Sequence, residues 1–76
     1  MSERKVIDAR GSFCPGPLME LIAALKLMDV GAEVEILSSD EGTAQDVPEW
    51  TTKVGHELVE MGERDGHWYL VVRKTK

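Results

Sequence analysis

One cysteine occurs in the 76 residues, and it stands in the run Phe13-Cys14-Pro15-Gly16-Pro17. A thiol reacts as its thiolate, so the question is whether the surroundings favour the anion. A residue before proline is pushed towards extended backbone, which suits an N-cap, and proline suits the first helical position. The run therefore predicts Cys14 at the mouth of a helix that Pro15 opens. Unpaired N–H groups and the partial positive charge of the helix end lower a thiol pKa there. Pro15 and Pro17 lack an N–H, which leaves Gly16 and Leu18 as the first-turn donors, and Gly16 adds no side chain to block an approaching sulfur. Arg10, four residues upstream, adds positive charge beside the thiolate or a contact for a partner if its loop folds back. The competing reading is a small buried hydrophobe, the usual fate of a lone cysteine in a cytosolic protein. A Pro-Gly-Pro flank makes a poor core strand and a good helix entrance, so local physics leaves the two readings level.

The elements that must position this run can be read outward from it. Lys5 to Ala9 is short and β-branched, and Arg10-Gly11-Ser12 then stops any regular element. From Pro15, the apolar residues Leu18, Leu21, Ile22, Leu25 and Met28 fall at helical spacing, with Gly31 as the stop. Glu33–Ser38 begins with strict alternation, which predicts a strand with one buried face, followed by a turn over residues 39–42. Thr43 to Asp46 resembles a weak capping box, yet Pro48 cannot sit deep in a regular helix. The expectation is therefore a tight turn and then a short helix near residues 47–54, ended by Gly55. Residues 57–61 and 68–72 read as two strands, and Asp65-Gly66 between them suits a hairpin. The order βαβαββ predicts an α+β fold: a two-layer sandwich with both helices on one face of a four-stranded mixed sheet. Residues 1–76 are expected to form a single domain without repeats or linkers.

Composition narrows the function classes. Nine Lys and Arg against 14 Asp and Glu give a formal charge of −5, which argues against binding a phosphate backbone and so against direct nucleic-acid partners. One cysteine cannot close an internal disulfide or form a Cys-x-x-Cys pair, and His56 and His67 lack zinc-ligand spacing, so no metal site is expected. The longest apolar stretch is broken by Glu20 and Lys26, so no membrane association is expected and the default location is the cytoplasm. Among the other polar residues, Asp40 and Asp46 are expected to cap rather than catalyse. His56 is expected to cap carbonyls or lie solvated, and Glu3, Glu33, Glu35, Glu57, Glu60 and Glu63 to form solvated faces. Trp50 and Trp68 are assigned to the core.

The stretch "DARGSFCPGPLMELI" resembles the Cys-Pro-x-Pro signature of the TusA/SirA-like sulfur-carrier family, with Asp8, Gly11, Cys14, Pro15 and Pro17 matching. "SSDEGTAQDVPEW" and "GHEL" extend the likeness over nearly the whole chain. Glu41 departs from it, since many relatives carry proline there, and this bears on the turn after Asp40. The resemblance implies a βαβαββ two-layer fold and a Cys14 that takes up sulfane sulfur as a persulfide, without a cofactor. It implies a donor protein, such as a rhodanese, a DsrE-like protein or a cysteine desulfurase, and an acceptor protein. Members serve tRNA thiolation, molybdenum-cofactor synthesis and dissimilatory sulfur oxidation, and Gly16 between the prolines leans towards the last. The rival is a regulatory or interaction module with a structural or redox-sensing cysteine. A third reading, RNA binding, is prompted only by the two-layer fold and is opposed by the charge.

Overall fold

The computed structural model describes residues 4–11 and 16–76. Six elements follow in the order β1 (Arg4–Asp8), α1 (Gly16–Leu27), β2 (Glu33–Ser38), α2 (Glu41–Val54), β3 (Glu57–Arg64) and β4 (His67–Arg73). The sheet runs β1-β2-β4-β3, with β1 parallel to β2 and β4 antiparallel to both its neighbours. The steps from β1 to β2 and from β2 to β3 move in the same direction across the sheet. Crossovers of one hand then put both helices on one face, leaving a gap that β4 fills. This is the two-layer βαβαββ sandwich expected from the sequence.

The alternation in β2 appears directly as burial: Val34, Ile36 and Ser38 are buried, and their neighbours are partly exposed. Val34 and Ile36 join Leu21, Ala24 and Leu25 of α1, Val47 of α2, and Leu70 and Val72 of β4 in one core. The stripe on α1 is centred slightly away from its expected line. Pro17 and Ala24 are buried with Leu21 and Leu25, while Leu18, Ile22 and Met28 are only partly buried. The helix also ends at Leu27, short of Gly31. Gly31, at φ +96°, serves the turn that follows, donating its N–H to the Lys74 carbonyl at 2.8 Å. Trp50 and Trp68 pack against the core but remain half-buried.

The largest departure is α2, which starts at Glu41 instead of near residue 47 and carries Pro48 inside it. Asp40 is its N-cap, extended at φ −98° and ψ 119°, and accepts from the Gly42 N–H at 3.2 Å and the Thr43 hydroxyl at 3.4 Å. Glu41 thus takes the first helical position, which suits proline equally and favours an acidic side chain. Thr43 to Asp46 lie within the helix, so Asp46 is not an N-cap. A mid-helix proline costs about 3 kcal/mol. Full burial of Val47 returns about 1.5–3 kcal/mol and the cap about 1, enough to carry the helix through. Gly55 ends it at φ +89°, as expected.

The sheet's other face has no helix over it and is closed by charge. Glu33 accepts from Arg4 at 3.0 Å on one oxygen and from Arg73 at 2.8 Å on the other. Arg4 also reaches Glu35 and Arg73 reaches Glu57. Glu33 and Glu35 are therefore not solvated acids: their side chains are only 15% and 14% exposed. The Arg73 and Arg4 hydrogen bonds hold the Glu33 carboxyl below its usual pKa. Glu60 and Glu63 are exposed as expected, and Glu3 lies outside the described residues. The hairpin turn is Asp65 at φ 53° and Gly66 at φ 83°, the type I′ geometry for which Asp-Gly is suited. Both flanking strands run longer than expected. Gly62 inside β3 is tolerated because the Tyr69 ring occupies its side-chain space, with the Arg64 guanidinium 4.4 Å above that ring.

Replacing Asp40 with Ala should cost about 1 kcal/mol, the usual value of an N-cap. Urea unfolding would measure it as a lower midpoint at unchanged slope.

Candidate functional site

Cys14 and Pro15 lie outside the described residues, and the structure defines the two ends between which they are strung. On the upstream side, β1 continues its ladder through the Ala9 N–H to the Leu37 carbonyl at 2.8 Å. Gly11, at φ +89°, then donates its N–H to the Ser39 hydroxyl at 2.9 Å. On the downstream side α1 begins at Gly16, with Pro17 buried. Gly11 on one side of the segment is thus held by a hydrogen bond, and Pro17 on the other is buried. Both ends lie where the parallel strands β1 and β2 finish and both helices start, the side of an α/β layer where ligands commonly bind.

The start of α1 has two properties that matter for a thiol two residues upstream. No acidic residue lies in its first turn, so no carboxylate of that turn neutralises the partial positive charge of the helix end. A side chain built on Gly16 would meet no atom within 4 Å, so the approach is open among the described residues. Pro17 is buried, and its missing N–H costs the first turn nothing.

Arg10 turns back along the chain. Its Nε and Nη2 donate to the two oxygens of Asp8 at 2.8 Å each, and its backbone N–H donates to the same carboxylate at 3.2 Å. The Arg10 side-chain hydrogen bonds, then its backbone N–H, hold the Asp8 carboxyl down to about 2. Arg10 therefore enters the loop as half of a neutral pair. Sequence reading matched Asp8 to the family pattern without giving it a role; the Asp-x-Arg spacing was the available signal. It missed Ser39 altogether, because a bond from Gly11 across 28 residues has no local signature.

The model of the family described as sulfurtransferase TusA matches residues 5–74. This chain belongs to that family. A candidate sulfur carrier protein of Archaeoglobus fulgidus is 59% identical over 71 residues, covering 93% of this chain and 97% of that one. The sulfur carrier protein TusA of Pseudomonas aeruginosa is 33% identical over 69 residues, covering 91% and 87%. Among solved structures, a SirA-like protein from Desulfitobacterium hafniense superposes with a TM-score of 0.82 at 26% identity, over 93% of this chain and 97% of that one. The TusA match therefore takes in both helices, β2 to β4 and all of β1 but Arg4, and with them Gly11 and Pro17 on either side of Cys14. Among the described residues, no helix is long and apolar enough to cross a membrane.

Asp8 should titrate near 2 by carboxyl NMR, and Arg10→Ala should raise it towards the ordinary carboxylate range, with the backbone N–H of residue 10 keeping part of the depression. Because its folded pKa is lowered, the pair's contribution to stability is complete above the unfolded value of about 3.9 and is lost as pH falls towards 2.

Proposed function

We propose that this TusA-family protein is a sulfur carrier whose acceptor atom is the Cys14 sulfur. The observation that carries the reading is the start of α1, a helix end with no acid in its first turn and with Gly16 open, placed two residues after the only cysteine. The family match supplies the class of chemistry.

The step needs no outside oxidant. The Cys14 thiolate attacks the outer sulfur of a donor protein's persulfide, a new S–S bond forms, the old one breaks, and the donor leaves as a thiolate. The sulfane sulfur changes owner with no net electron transfer, and the proton released on forming the Cys14 thiolate balances the one taken up by the donor. A nucleophile on the acceptor protein then attacks the outer sulfur and regenerates Cys14. A carrier with one cysteine cannot expel the sulfur by closing an internal disulfide, so the cargo persists until an acceptor arrives. The helix end serves both halves, stabilising the thiolate before loading and as leaving group after delivery.

Two measurements test this. Intact-protein mass spectrometry after polysulfide, or after thiosulfate with a rhodanese, should show a reductant-labile gain of one sulfur atom on the wild type and none on Cys14→Ser. No gain on the wild type, with a thiol inert to alkylation, would leave a structural or regulatory cysteine instead. The pH dependence of alkylation should have its midpoint below the free-thiol value of about 8.5. Gly16→Asp should raise that midpoint by roughly 0.2–0.7 of a pH unit, the effect of one charge at a helix end, while leaving the fold intact.

A further inference from the structure

A second feature lies at the opposite pole, where both helices end. A cleft of about 250 Å³ opens between the C-terminal halves of α1 and α2 and the chain after β4. Its apolar floor is Ile22, Leu25, Trp50 and Val54, and its rim carries Lys26, Lys74 and Lys76. Lys26 is ten residues along α1 from Gly16, about 15 Å by helix rise, so this cleft is separate from the helix entrance.

Charge sets it apart from the rest of the surface. Acids outnumber Lys and Arg 14 to nine in the chain, yet among the described residues no Asp or Glu lines the cleft. The four arginines are engaged elsewhere, Arg4, Arg10 and Arg73 with carboxylates and Arg64 over Tyr69. Among the described residues no lysine forms a salt bridge. The Lys74 ammonium donates to the Met28 carbonyl at 2.7 Å, a neutral acceptor, so it has no carboxylate partner among the described residues. The wall is also held in place. The Thr75 N–H donates to His56 Nδ1 at 3.2 Å, the Lys74 backbone N–H donates to Ala32 at 2.9 Å, and Trp50 packs 5.6 Å from the His56 ring. His56 thus accepts a backbone donor, neither capping a carbonyl nor lying free in water.

We infer that this cleft docks an acidic segment of a partner protein, which seats one large apolar side chain on the Trp50 floor and sets its carboxylates against the three lysines. The volume favours an anchor of this kind, since small-molecule sites run from about 300 to 1,000 Å³. Lysines without carboxylate partners select the sign of the flanking charge. The inference does not depend on Cys14.

The test is an NMR titration of the full ¹⁵N-labelled chain with a blocked pentapeptide of four acidic residues around a central tryptophan. Saturable shifts confined to Lys26, Trp50, His56, Lys74 and Lys76 are expected. The four-lysine analogue should bind about tenfold more weakly, as should the Lys26→Glu/Lys76→Glu variant, from a few exposed ion pairs acting together. Spectral dispersion would verify that the variant folds, and Lys26→Gln replaces it if it does not. Absence of saturable shifts, shifts elsewhere, or equal binding of the lysine analogue would overturn the inference. Indole-3-acetate binding as tightly as the peptide would also overturn it, pointing to a small organic anion as occupant.

Discussion

The parallel pairing of β1 with β2 is the constraint on which the rest depends. Parallel neighbours cannot be joined by a tight turn, so a crossover helix must lie between them. That requirement puts the start of α1 beside the ends of both strands and brings Gly11 within hydrogen-bonding reach of Ser39. The next crossover runs in the same sense, so α2 also starts at this end, capped by Asp40 immediately after Ser39. One end of the molecule thereby collects two helix N-termini and the cysteine-bearing connection. The other collects two helix C-termini and the lysines that complement them.

The two faces of the sheet are closed by different physics. The helical face is closed by apolar burial, whereas the open face relies on Glu33 accepting from two arginines on strands that are not neighbours. Exposed ion pairs contribute little singly, but this one bridges three strands across the sheet. Val71 stands on that face in register with Glu35 and Glu60 and is only 1% exposed. Long charged side chains can shield apolar surface in this way while keeping their heads in water.

Pro48 shows how a local rule gives way to packing. Taken alone, a proline with three helical turns around it argues for a break, and that argument places the helix start six residues too late. The cap at Asp40 and the complete burial of Val47 offset the lost hydrogen bond. Neither is visible from Pro48 itself, because burial is a property of what lies opposite.

The sequence by itself determined the element order, the alternation of β2, the Asp-Gly hairpin and the place of Cys14 just ahead of a helix, because each rests on local backbone preference or on side-chain period. It also set the chemistry available, since a single thiol permits relay and forbids an internal disulfide. Tertiary structure alone decided the strand order, the true start of α2, the anchoring of Gly11 by Ser39, and the lysine cleft between the helix ends. These join residues separated by up to tens of positions. No pattern of nearest neighbours encodes which of them will meet; that is settled when both helices pack onto one face of the sheet.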